Sequence, residues 1–494
     1  MRQNIKKSIT FLTILILLVL STGEVCPETD WSFKTGVTNF DSKNCANDVE
    51  DLGLDLVGVI VYWGDIEPVK GEFKITSAVI SAFEDCVPEG AEPLLTIKVN
   101  SPWGVKKEWK HDKEYIPHKV VYPPKDYNDF ENFIEVLADS LKGICRYFQI
   151  GNEWNNYLHL KYNQQRWAGT MDEAIEVVKV TSEALKRKIP EAYLVMGAFT
   201  GSYNIKNKRP PRSEFIEDLI EGVSKYVDAY AFHHYGDDSE LEAKLKWYQE
   251  KGSKPVWITE IGNPAFNRIG DVSVEEDHFF LNIGTNKDLL TPQQIEDSVF
   301  NTIRREVPDF LYLPENRSIL ENGKAEQIFR IYTVAHANGA QAAIWFYLYT
   351  NKKPHYYFRK PKSTNAYQAA KRARNRNINT SLIDKELELV LPAYYNLKIY
   401  DEMIRDCRFV SEIGSDSQKV YKFQESSGKY KYVCWSTDGP QMLKPKLPDG
   451  KYLVTTCITE IGPSTPDKKE YQTISGVLNI LIDSTPRIIE RIMN

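Results

Sequence analysis

The stretch RYFQIGNEWNN, residues 146–156, decides how the chain is read. Tyr147 to Ile150 form a short, mostly apolar run of the kind that is buried on both faces of a parallel sheet. The run ends abruptly on Asn152-Glu153-Trp154. A surface loop has no need of the tryptophan, and a core strand does not tolerate the glutamate. A strand that surfaces at a site accounts for both.

Working outward, the same unit recurs. Strand-like runs stand at WSFKTGVTNF (31–40), LVGVIVYW (56–63), PLLTIKV (93–99), YFQIGN (147–152), YLVMGAF (193–199), VDAYAFHHY (227–235), PVWITEIG (255–262) and AAIWFYLY (342–349). Helix-period segments alternate with them: DFENFIEVLADSLKG (129–143), MDEAIEVVKVTSEALKRKIP (171–190) and AEQIFRIYTVAHANG (325–339), the last closing on an Asn-Gly stop. Eight alternating units predict an α/β chain folded as a (β/α)8 TIM barrel. The competing open, doubly wound sheet lacks a glycine-rich fingerprint after the first strand. Beyond LPAYYNLKIYDEMI (391–404) the texture changes to short strands split by Gly, Pro, Asp and Ser. The expected division is an export signal at 1–23, a barrel at 24–405 and a small C-terminal antiparallel β-sandwich domain at 406–494.

The export signal is read from the basic start MRQNIKK, the apolar run ITFLTILILLVL (9–20) and the small residues that follow. Twelve residues are too short a run to span a bilayer, which takes about 20. Secretion, or delivery to a periplasm or cell surface, is the expectation. An exported chain can form disulfides. The seven cysteines, at 26, 45, 86, 145, 407, 434 and 457, are widely spaced and make no CxxC pair; Cys434 and Cys457, in neighbouring strand-like segments, are candidates for a bridge. A net charge of −6 (62 basic against 68 acidic residues) argues against a nucleic-acid partner. The basic cluster KRARNR (371–376) reads more simply as a solvated face than as an anion site.

Barrel chemistry collects at the C-terminal strand ends. Strand 2 delivers Trp63, strand 3 Asn100 and Trp103, strand 4 Asn152, Glu153 and Trp154. Strand 6 delivers His233, His234 and Tyr235, strand 7 Glu260, and strand 8 Trp345. One glutamate after a strand is commonly a charge at a helix start. Two, on strands that face each other across the mouth and among aromatic residues, suit cleavage of a glycosidic bond. His233 and His234 have no third ligand at metal-site spacing, so neither a metal nor another cofactor is expected.

At this point the chain resembles a known group. IGNEWNN (150–156) and WITEIG (257–262) resemble the acid/base and nucleophile motifs of the clan A retaining glycoside hydrolases. WGDIEPVKGEF (63–73), HHY (233–235) and Trp345 are similar to further motifs of that clan, in the same order. A barrel followed by a β module is most similar to family 39 and its neighbours. The resemblance implies Glu153 as general acid/base, Glu260 as nucleophile and Asn152 on the sugar 2-hydroxyl. It also implies Tyr235 on Glu260, His233 lining the sugar and Trp345 stacked beneath it. Trp63, Asn100, Trp103, Trp154 and His234 complete the expected substrate-binding set. The implied substrate is a β-linked oligosaccharide or polysaccharide, and the oligomeric state is left open. One departure is Gly58, where the resemblance leads one to expect a strand-2 arginine. That gap bears on the exact family more than on the reaction, and it keeps open the competing expectation of an inactive, glycan-binding barrel, against which the presence of both carboxylates stands.

Overall fold

A computed structural model of the chain describes residues 33–38, 45–75, 79–106, 120–159, 164–201, 208–210, 213–262, 317–349, 381–384 and 388–492. The export segment, Cys26, KRARNR and most of the connections 263–324 and 350–389 lie outside the described residues.

Residues Phe33–Asn494 form one compact unit. Its centre is a closed, all-parallel barrel: β1 (Lys34–Thr38), β2 (Leu56–Tyr62), β3 (Glu92–Lys98), β4 (Tyr147–Ile150), β5 (Tyr193–Phe199), β6 (Ala229–His234), β7 (Val256–Ile261) and β8 (Ala342–Phe346). Each strand pairs with its sequence neighbours, and β8 closes on β1. Helices wrap the outside, among them α1 (Ala46–Leu52), α2 (Tyr127–Leu141), α3 (Met171–Lys188), α4 (Ser213–Val223), α5 (Asp238–Lys251), α6 (Arg317–Ala337) and α7 (Pro392–Met403). The start of α3 follows from its sequence: Thr170 and Glu173 form a capping box that satisfies two otherwise orphaned N–H groups.

Alternation along each strand divides the side chains into two cores. Leu56, Leu94, Tyr147, Val195, Ala229, Ala231, Trp257, Ala342 and Ile344 fill the barrel interior. Their neighbours, such as Leu95, Phe148, Leu194, Ile258 and Trp345, pack in the helix layer. Tyr147, Tyr193 and Trp257 close the barrel floor, with ring centroids 5.4–5.6 Å apart. Oε1 of Gln341 accepts from both the Tyr193 hydroxyl and the Trp257 indole. With the floor plugged, any cavity must lie at the opposite end, where the strands finish.

Regular alternation fails at one informative place. Ile258 faces outward opposite Ala343, and Ile261 faces outward opposite Trp345. Only Ile344 separates the two on β8, but Thr259 and Glu260 separate them on β7. The extra residue is a β-bulge, which re-aims the side chain that follows it. Glu260 thereby comes into register with inward-facing His233 rather than pointing into the helix layer.

The C-terminal region is a six-stranded antiparallel sheet: β9 (Arg408–Glu412), β10 (Gln418–Gln424), β11 (Tyr430–Ser436), β12 (Lys451–Thr456), β13 (Asp467–Gln472) and β14 (Arg487–Arg491). Its strand order is β9-β10-β11-β14-β12-β13. One face, with Tyr421, Phe423, Val433, Trp435 and Ile488, joins the barrel's outer core. The other, with Val420, Tyr432, Cys434, Tyr452 and Ile489, packs on a short two-stranded antiparallel ribbon, Gln441–Leu443 with Ile480–Ile482. Buried Asn396 of α7 ties the regions together: its amide nitrogen donates to Ala325 and Ile458 carbonyls, and its oxygen accepts from Ile458 N, each at 2.8 Å.

The cysteine expectation is corrected. Cys45 and Cys86 form a disulfide, whereas Cys434 and Cys457 are free and buried. Cys434 of β11 pairs with Arg487 of β14, and Thr456, next to Cys457, pairs with the same Arg487 from the other side. An intervening strand holds the two backbones about 10 Å apart, beyond the reach of a disulfide.

Candidate active site

The mouth of the barrel is built around His233. Its Nδ1 lies 3.0 Å from Oε1 of Glu153 and 3.2 Å from Oε2 of Glu260, so one imidazole N–H points between two carboxylates. The position is fixed from behind: buried Lys244 of α5 donates to the His233 carbonyl at 2.8 Å and to that of Gly201 at 2.6 Å. The Tyr235 hydroxyl donates to Oε2 of Glu260 at 2.7 Å.

The residues of NEWNN divide the work of placing Glu153. Gly151 (φ 79°) and Glu153 itself (φ 52°) take left-handed backbone conformations, an uncommon state for a non-glycine residue. A side chain at Gly151 would also meet the Trp154 ring at 2.7 Å. Trp154 is a buried wedge stacked on Trp167 with centroids 4.5 Å apart. Asn155 exchanges two hydrogen bonds with the Thr200 backbone, and Glu153 N donates to the Ala198 carbonyl, which fastens the turn to the end of β5. Asn156 then donates to Oε2 of Glu153 at 3.1 Å. After the hairpin Tyr157–His159 with Gln164–Gln165, Arg166 returns to the same oxygen.

The two carboxyls titrate in opposite directions. Burial works to raise both. For Glu153 it is outweighed by the hydrogen bond and charge of His233, the Arg166 guanidinium and the Asn156 amide, and its pKa lies well below the usual range. Glu260 is pushed up by burial, which outweighs the charge of His233; repulsion from Glu153 adds to the rise, and Tyr235 and Lys98 oppose it.

Several expected contacts fall elsewhere. Trp63 is fully buried; it donates to Oε2 of Glu67 at 2.7 Å and stacks on Phe133. Glu67 also accepts from Gly71 N, and its carbonyl accepts from Trp103 Nε1. The WGDIEPVKG segment is therefore a structural box, with Trp103 half-buried over Trp63. Trp154 is corrected in the same way, since its indole has no exposed face. Asn100 donates to the Val120 carbonyl at 2.8 Å and braces that segment. His234 follows His233 in the strand and turns away; its Nε2 donates to the Asp237 carbonyl at 2.9 Å, and burial lowers its pKa to about 3. Trp345 is fully buried in the helix layer. The aromatic residue that β8 presents to the mouth is Phe346, edge-on to Tyr235 with centroids 5.9 Å apart. A shift of one residue on a strand exchanges its two faces. Asn152 stays beside Glu153, buried, and its Oδ1, like Nε2 of His233, has no hydrogen-bond partner among the described residues.

Sequence reasoning missed two cations. Arg166 follows a hairpin rather than a barrel strand, and no strand-end rule points to it. Lys98 ends β3 on the inward face, in phase with Leu94; a lysine in the otherwise uncharged run PLLTIK is the signal that was available. Among the described residues, Glu153, His233 and Glu260 are the one group whose donor atoms, all within 4.8 Å of each other, could hold an ion. Oε2 of Glu153 already accepts from Arg166 and Asn156, so protein donors meet much of that negative charge.

Comparison with known proteins agrees with this architecture. A family model described as "Glycosyl hydrolase catalytic core" matches residues 176–302. The chain is similar to a family 39 glycoside hydrolase from Bacteroides cellulosilyticus WH2, with a TM-score of 0.59 and 14% identity, covering 93% of this chain and 81% of that one. It is similar to the catalytic domain of GH30 xylanase C from Talaromyces cellulolyticus, with a TM-score of 0.53 and 10% identity, covering 94% and 97%. It is also similar to an endo-β-1,6-glucanase, with a TM-score of 0.54 and 11% identity, covering 93% and 92%. At these identities the likeness is one of fold. No curated protein matches the chain in sequence.

Proposed function

From a barrel with the clan A glycoside hydrolase fold, we propose that this protein is an exported, retaining hydrolase of β-linked glycans. The observation that carries the reading is the carboxylate pair: oxygens of Glu153 and Glu260 lie within 4.8 Å of each other. Retaining enzymes hold the two carboxyls about 5–5.5 Å apart, and inverting ones about 6.5–9.5 Å apart to admit a water. Export is supported by the Cys45–Cys86 disulfide, which suits an oxidising compartment.

In this mechanism Glu260 attacks the anomeric carbon as the glycosidic C–O bond breaks, and Glu153 delivers a proton to the departing oxygen. Glu153 then takes a proton from water as the water oxygen replaces Glu260 at the anomeric carbon. The Tyr235 hydroxyl orients Glu260 for attack. A general acid must be protonated, yet His233 and Arg166 outweigh burial and hold Glu153 ionised. Substrate entry has to loosen that grip. The opposed titration directions favour a second reading in which the roles are exchanged, because the acid is ordinarily the carboxyl with the raised pKa.

One experiment tests both. Glu153→Ala and Glu260→Ala are assayed on aryl β-glycosides with added azide, and the anomer of each glycosyl azide is read by NMR. With Glu260 as nucleophile, Glu260→Ala yields the inverted azide and Glu153→Ala the retained one; exchanged roles give the opposite pattern. Near wild-type activity in either variant, or glycan binding by the wild type with no release of reducing ends, overturns the proposal.

A further inference from the structure

One cation at the barrel mouth has no part in the chemistry above. Lys98 stands on the inward face of β3 and is 9% exposed. It pairs in register with Tyr62 of β2, and its Nζ is 5.3 Å from the centroid of that ring. A buried ammonium is costly unless negative charge is near. The charged groups around it are Arg166, after the hairpin, Glu260 of β7 and Glu153 at the end of β4.

On neighbouring β2 the inward position Gly58 has no room for a side chain: a Cβ there would meet Thr38 Oγ1 at 2.5 Å and Thr38 Cβ at 2.7 Å. The two carboxyls are also unequally served. Glu153 accepts from His233, Arg166 and Asn156. Glu260 has His233 and Tyr235, with Glu153 repelling it. Positive charge from β3 therefore matters most to Glu260.

We propose that Lys98 is a positioning residue whose charge keeps Glu260 ionised for attack. The inference rests on the reading of Glu260 as nucleophile. Burial, then Arg166, lowers the Lys98 pKa to about 8, with Glu260 and Glu153 opposing. The charge is thus present at neutral pH and is lost as pH rises through that value.

The test compares wild type, Lys98→Met and Lys98→Arg in the full chain. The Glu260 carboxyl is titrated by NMR in protein labelled at the glutamate side-chain carboxyl, with Glu260→Gln assigning the resonance; no turnover is needed. Lys98→Met should move the Glu260 midpoint upward, and Lys98→Arg should leave it near wild type. On an aryl β-glycoside, Lys98→Met should lower kcat/KM by about tenfold and move the acid limb to higher pH, with Lys98→Arg restoring both. An unmoved Glu260 midpoint in folded Lys98→Met overturns the proposal. If that variant does not fold, wild type and Lys98→Arg decide: the Glu260 resonance of the wild type should show a second inflection near pH 8 that the arginine variant lacks, and its absence from the wild type overturns the proposal. A midpoint that moves in a protein hydrolysing no glycoside leaves the Lys98 assignment intact and removes the enzymatic reading.

Discussion

Arg166 Nη1 lies 2.5 Å from Oε2 of Glu153, thirteen residues earlier in the chain. Both side chains are largely buried, so solvent does little to weaken the pair. Burial favours the protonated carboxyl, and the guanidinium and His233 reverse that preference. Arg166→Met should raise the Glu153 pKa, so that the residue holds its proton to higher pH. The alkaline limb of the kcat/KM profile should then move upward, and Arg166→Lys should fall between the two. An unchanged alkaline limb would detach Arg166 from the control of Glu153.

Tyr235→Phe deletes the hydrogen bond that Glu260 Oε2 accepts at 2.7 Å. A hydrogen bond to a charged group is worth about 1.5–3 kcal/mol, so kcat/KM should fall about tenfold to a hundredfold. Loss of the donor also disfavours the ionised carboxyl. The acid limb should therefore move to higher pH, with the thermal midpoint nearly unchanged.

Gly58→Ala tests the packing of β1 against β2. The added Cβ collides with the Thr38 side chain, whose hydroxyl donates to the Gly58 carbonyl at 3.2 Å. Overpacking of this kind costs about 1–3 kcal/mol, to be read from the urea midpoint. Thr38→Gly in the same chain should recover part of the loss, and additive effects of the two changes would show that they do not meet.

Acid stability should follow two buried imidazoles. Burial lowers His234 to about 3 and His336 to about 4; the latter stacks on Phe33 with centroids 4.7 Å apart. An unfolded histidine titrates near 6.5. The folded state thus binds fewer protons below that value, and stability falls as pH drops from about 6.5 toward the folded pKa. At pH 5 the loss is about 2 kcal/mol for each. His336→Phe removes one of these titrations. The stability gap between wild type and variant, measured in urea at pH 7 and pH 5, should shift by about 2 kcal/mol in the variant's favour at the lower pH.

Much of the barrel was legible because its signal is long-range and repetitive. Apolar runs such as LVGVIVY and PLLTIK alternate with amphipathic helices, and Glu153 and Glu260 each follow such a run. What could not be read was orientation at the strand ends, where alternation breaks. Trp345 and Phe346 are adjacent and both aromatic, and only the strand phase shows which one faces the mouth. Trp63 and Trp154 look like sugar platforms in sequence, but partners distant in the chain, Phe133 and Trp167, claim their faces. Arg166 reaches the site through a hairpin that no strand-end rule covers.

The bulge at Thr259–Glu260 makes the chemistry depend on how β7 pairs as well as on which residues it carries. With the same residues in unbroken alternation from inward-facing Trp257, the glutamate would sit among the helix-facing side chains. A homologue whose β7 kept both residues but paired without the bulge would carry both glutamates in its sequence, align with every motif and keep its barrel. It would still have no pair across the mouth, and a genome survey that matched motifs without strand register would record it as an enzyme.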